Sequence, residues 1–71
     1  MTENEFESRV SRLSDRGIVT KSTSAAIVNA YFDFPEKQKK ICENIKKIEK
    51  LNDEDFDFFV KLNQLINEII Y

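Results

Sequence analysis

The stretch Phe58-Phe59-Val60-Lys61-Leu62-Asn63-Gln64-Leu65-Ile66-Asn67-Glu68-Ile69-Ile70 decides the fold. At helical spacing, Phe58, Phe59, Leu62, Leu65, Ile66, Ile69 and Ile70 fill an arc of about 140°. Phe56 and Val60 extend that arc, and Asp57, Lys61, Gln64 and Glu68 form the one clean polar stripe. So broad an apolar face must meet more than one neighbour. The reading places this helix from Asp53 to the C-terminus, with Glu54 and Asp55 in its first turn complementing the helix dipole. It is expected to lie across the other helices as their spine.

Working back from it, Ile41, Ile45 and Ile48 form the core stripe of a third helix that Pro35 opens, with Asp33 as its cap and Leu51 and Asn52 as its close. Cys42 sits beside that stripe as a small half-buried hydrophobe, because the chain has no histidine to activate a thiol. A second helix starts among the N-capping residues Thr20 to Ser24 and ends near Asp33, since Phe34 precedes Pro35 and is pushed from helical geometry. Ile27, Ala30 and Tyr31 share one of its faces. Val28 and Phe32 point about 100° away from that face, so they call for a partner of their own. A first helix over Glu3 to Arg16, capped by Thr2 or Asn4, carries Phe6, Val10 and Leu13 on a narrow stripe and stops at a left-handed Gly17. Ile18 and Val19 then pack downward.

With one glycine and one proline in 71 residues, few places remain where a β-hairpin could turn. The expectation is an all-α fold, a compact single-domain bundle of about four helices spanning residues 1–71. A chain this short buries only about 60% of the surface its unfolded form exposes, so its stability margin is thin. One cysteine and no histidine exclude an internal disulfide and the common zinc sets, which leaves helix packing or oligomerisation as support. The lone Cys42 suits a reducing compartment, the charged segment Met1 to Ser11 lacks a signal-peptide core, and no stretch approaches the ~20 apolar residues of a membrane span. A cytoplasmic location is expected.

Charge is segmented, although the net value is only −2. Residues 1–30 are neutral, residues 31–50 carry +2 and residues 51–71 carry −4. An acidic total does not favour non-specific nucleic-acid binding. Catalysis also lacks its parts, with no histidine, no Gly-rich phosphate loop and no paired thiols, so neither an enzyme nor a cofactor is expected. The acids Asp53, Glu54, Asp55 and Asp57 lack the central glycine and distal glutamate of a calcium loop, and capping explains them better.

The first helix, Gly17 and the Ser/Thr-headed second helix resemble a helix-turn-helix, but Arg16 stands where that motif is apolar, and the connection from Gly17 to Ser22 is longer than its usual turn. A second resemblance lies in the C-terminal third. The segment Ile48 to Ile66, with Leu51, the acids Asp53, Glu54 and Asp55, and the apolar run from Phe56, is similar to the tails that follow the DNA-binding domain in small phage-type repressors. It covers about a quarter of the chain and implies a surface for self-association or regulation without a DNA-reading head. The whole resembles the antirepressors and modulators of temperate phages and mobile elements. The expected function is regulatory binding to a protein partner such as a transcriptional repressor. The expected contacts are exposed Val28, Phe32, Phe56 and Val60, with Arg9, Arg12 and Arg16 as steering charges. Two alternatives stand beside it: a small DNA-binding regulator using the second helix, and a structural subunit of a larger assembly. A homo-oligomer remains open.

Overall fold

In a computed structural model, which describes residues 1–71, the chain forms four α-helices and no strand. Helix α1 spans Glu3–Asp15 and starts where the Thr2 hydroxyl accepts the Glu5 N–H at 3.1 Å. That contact leaves Asn4 inside the first turn. Gly17, at φ 76°, stops the helix. The Ile18 N–H donates to the Leu13 carbonyl and the Gly17 N–H to the Ser14 carbonyl, both at 3.0 Å, which is the paired bonding of a Schellman stop. Val19 is buried and Ile18 packs partly against the core, as expected.

Helix α2, Lys21–Asp33, is capped by the Thr20 hydroxyl, which accepts the Thr23 N–H at 3.1 Å. A 3-10 turn over Pro35–Lys37 follows, and helix α3 runs over Gln38–Glu49. Asp33 was expected to cap this third helix, but it is the last residue of α2. No side chain caps either the turn or α3. Pro35 cannot donate, so the 3-10 turn absorbs the change of direction, and Gln38 Nε2 donates back to the Tyr31 carbonyl at 3.1 Å.

Helix α4 is Phe58–Ile70, and its start is the main correction to the sequence reading. Asn52, not Asp53, organises the preceding segment. Its Oδ1 accepts the Glu54 N–H at 3.0 Å and its carbonyl accepts the Asp55 N–H at 3.1 Å. A second turn closes with the Phe58 N–H donating to the Asp55 carbonyl at 3.1 Å. These local bonds compete with helical ones, which is why asparagine and aspartate favour turns. Phe56 therefore sits in a turn and not on a helix face.

Thirteen buried apolar residues form one cluster. Helix α1 gives Phe6, Val10 and Leu13, helix α2 gives Ile27, Ala30 and Tyr31, helix α3 gives Ile41, Ile45 and Ile48, and helix α4 gives Phe58, Leu62 and Ile69. The radius of gyration, 11.3 Å, matches the value of about 11 Å for a compact chain of this length. Helix α4 lies chiefly on α3 and also on α2, while α1 packs on α2 and α3. Helices α2 and α3 each meet all three other helices, and α3, whose stripe Ile41, Asn44, Ile45 and Ile48 is fully covered, is the spine in place of α4, which the sequence suggested.

Asn44 is the one buried polar residue, and it lies within the α3 stripe. Its Nδ2 donates to the Leu65 carbonyl at 3.1 Å and to Glu68 Oε2 at 3.0 Å, which fixes the axial position of α4 along α3. On the other side of the core, Phe6 stacks on Tyr31 with ring centroids 4.1 Å apart. Burial raises the Tyr31 phenol above its usual pKa of 10.0, and the Cys42 and Glu3 charges push it further the same way.

Three outcomes follow from this packing. Gly17→Ala should cost about 1–2 kcal/mol in urea unfolding. No side chain lies within 4 Å of the new methyl, so the penalty is one of backbone, and Gly17→Asn should lose less. Ile45→Ala, at a fully buried position of the spine, should cost about 2–5 kcal/mol, and Ile66→Ala, at a half-buried one, clearly less in the same assay. The third concerns pH. The folded state favours the neutral Tyr31 phenol, so its contribution is complete below the unfolded pKa and falls as pH rises through the raised folded value. Thermal melts from about pH 8 to about pH 11 should show an alkaline loss of stability that Tyr31→Phe reduces.

Candidate functional site

The turn after α3 concentrates acid and aromatic character in a few residues. Asp53, Glu54, Asp55 and Asp57 surround Phe56, whose ring is fully exposed, and the first turn of α4 adds Phe59 at 70% exposure and Val60 at 62%. Exposed single hydrophobes are ordinary, but three within five residues make a patch that merits a functional reading. The local cation, Lys61, is paired with Asp57 at 3.3 Å, so Asp53, Glu54 and Asp55 have no ion-pair partner.

Phe58 explains the outward posture of its neighbours. Its ring is buried and meets Phe59 edge-on at 5.2 Å. Successive helical residues are rotated by about 100°, so seating Phe58, Leu62 and Ile69 in the core turns Phe59 to the flank and Val60 away. The sequence reading placed Phe59 in the buried arc. In the folded chain that arc narrows to Phe58, Leu62 and Ile69, with Leu65, Ile66 and Ile70 half-buried beside it.

The other expected contacts divide. Phe32 is 42% exposed at the end of α2, edge-on to Tyr31 at 5.3 Å. No ring pairing joins it to Phe56 or Phe59. Val28 does not belong to an exposed surface. It packs partly against the core, because α2 is held between α1 and α4 and its second face is covered at Val28, while Phe32 one turn on stays exposed. Arg9 is also half-buried, and its Nη1 reaches Glu49 Oε1 at 3.4 Å, tying α1 to α3. Arg12 and Arg16 are exposed without an ion pair. Lys21 is the single cation of α2.

A hollow beside α3 was not legible in the sequence. It has a volume of about 360 Å³ and lies beside α3 from Gln38 to Lys46, with Met1, Tyr31 and Cys42 as its apolar part and Gln38, Lys39, Glu43 and Lys46 at its edge. The spacing of Lys39, Cys42, Glu43 and Lys46 on one outer face of α3 was available as a signal, but the contributions of Met1 and Tyr31 come from tertiary packing. Phe34 is likewise exposed, with Lys37 Nζ 5.1 Å above its ring.

No group of three or more His, Cys, Asp or Glu side chains converges as a metal cluster, and no helix is long and apolar enough to cross a membrane. Against this geometry, no protein-family model, no curated protein and no solved structure matches the chain.

Proposed function

We propose that the chain is a non-enzymatic regulatory binding protein of the cytoplasm, of the antirepressor type, that attaches to a transcriptional repressor and alters its occupancy of DNA. The observation that supports this reading is the exposed Phe56, held outward by a hydrogen-bonded turn and flanked by unpaired acids. An aromatic ring with no neighbour in its own fold is the type of side chain that anchors a protein interface. Phe59 and Val60 enlarge the contact, Phe32 supplies a second one, and Arg12 and Arg16 steer the approach.

The acids weigh against duplex DNA as the direct target of this face, since phosphates and carboxylates repel. Helix α2 offers DNA little more, with Lys21 its single cation. The test uses purified phage-type helix-turn-helix repressors on labelled operators, titrated with this chain. One repressor should lose or gain operator occupancy, and Phe56→Ala or Phe32→Ala should weaken its complex by about 1–2 kcal/mol or more while thermal melts stay unchanged. The opposite result is tight binding of one operator over random DNA by this chain alone, with both variants binding normally. That would overturn the repressor reading in favour of a DNA-binding regulator.

A further inference from the structure

Each molecule carries an acidic aromatic projection and a lysine-edged hollow, and neither is satisfied within its own chain. The projection is the turn at Phe56, with Asp53, Glu54 and Asp55 unpaired. The hollow is the space of about 360 Å³ beside α3, where Met1, Tyr31 and Cys42 supply apolar surface and Lys39 and Lys46 stand at the edge. Neither lysine makes an ion pair in the folded chain. We propose that the Phe56 turn of one molecule seats in the lysine-edged hollow of a second copy of this chain.

Size and charge both fit this occupant. The hollow, about 360 Å³ and open to solvent on one side, has room for one aromatic side chain together with its flanking polar groups. Lys39 and Lys46 oppose the charge of Asp53, Glu54 and Asp55, and the segment 31–50 that carries the hollow is positive while 51–71 is negative. Glu43, also at the edge, opposes the incoming acids and keeps the contact weak.

Topology then selects a closed pair. The hollow is lined along α3 by residues from Gln38 to Lys46, with Cys42 near its middle, and the turn follows the end of the same helix, about 10 Å beyond Cys42 at helical rise. Phe56 is fully exposed and is not among the residues lining the hollow, so a molecule does not fill its own hollow. Two copies with their α3 helices antiparallel make both contacts at once, each giving a turn and receiving one. This is the self-complementary arrangement of a two-fold dimer. The contact stands without the repressor reading, and it goes beyond that reading because the same Phe56 cannot serve a partner and a second copy together.

Sedimentation equilibrium of the full chain reads the contact directly. Small interfaces associate weakly, so the range should run from about 10 µM to about 1 mM, with a reductant present to prevent a Cys42 disulfide. Mass should rise from monomer towards dimer with concentration, and the dissociation constant should increase with added salt. Phe56→Ala should weaken the dimer by at least about tenfold, with an unchanged melt because the ring supports nothing in the monomer. Two charge-reversed chains complete the test, one carrying Lys39→Glu with Lys46→Glu and the other Asp53→Lys with Asp55→Lys. Each alone should stay monomeric, and mixing them should restore a dimer, because both contacts of the mixed pair are again complementary. The proposal is overturned by a wild-type chain that stays monomeric throughout, by a dimer indifferent to Phe56→Ala, or by charge-reversed chains that do not pair on mixing. Monomeric wild type leaves the repressor reading standing, whereas failure of every operator titration leaves the dimer standing.

Discussion

The structure depends on helix α3 being covered along one face for its full length. Ile41, Asn44, Ile45 and Ile48 are all without solvent contact, and no other helix has so continuous a buried stripe. In a chain too short for a second core, this stripe is the surface against which α1, α2 and α4 are all placed. Asn44 gives it direction. Hydrophobic contact alone lets two helices slide past each other, but an amide that donates to one carbonyl, that of Leu65, and one carboxylate, that of Glu68, accepts a single register. The amide oxygen of Asn44 finds no protein partner, so the residue offsets part of its own stabilising effect. Its contribution lies in specifying the α3–α4 pairing more than in strengthening it.

How much of this was legible in the sequence depends on the range over which each signal acts. The stop at Gly17 was readable because it is local: one residue able to adopt positive φ, after a helical stripe, with Ile18 next to close over the end. The stripes Phe6–Val10–Leu13 and Ile41–Ile45–Ile48 were readable for the same reason, since periodicity is written along the chain. The start of α4 was misread because two local signals conflict there. Acids before an apolar run read as a helix opening, yet Asn52 bonds its side chain two residues on and diverts the backbone into turns. Asn44 was overlooked because its partners lie far along the chain, and an asparagine between isoleucines carries no mark of a distant carbonyl.

The candidate surface divides along the same line. Phe56 and Val60 stand at the margin of the apolar arc of the last helix and Phe32 off the main stripe of α2, and all three are exposed. Val28 falls off its stripe as well, but α2 sits between neighbours on two sides, and a wheel drawn for one helix does not count its neighbours. The arginine ridge separates for a similar reason. Arg9, Arg12 and Arg16 lie along one side of α1, but only Arg9 comes opposite Glu49 of α3 and is drawn into the scaffold.

The misread turn and the candidate surface are one feature. Had α4 begun at Asp53, Phe56 would lie on its apolar arc, and the adjacent acids would be spent on the helix dipole. Because Asn52 captures the Glu54 and Asp55 amides, the helix starts late, the ring points to solvent, and the carboxylates of Asp53, Glu54 and Asp55 stay unpaired around it. Local backbone chemistry thus turns a potential core residue into an exposed ring with a negative surround. That surround restricts what the ring can meet. Removing those carboxylates from water is costly unless cations face them, so a phosphate backbone is a poor counterpart and a lysine- or arginine-edged protein hollow a good one.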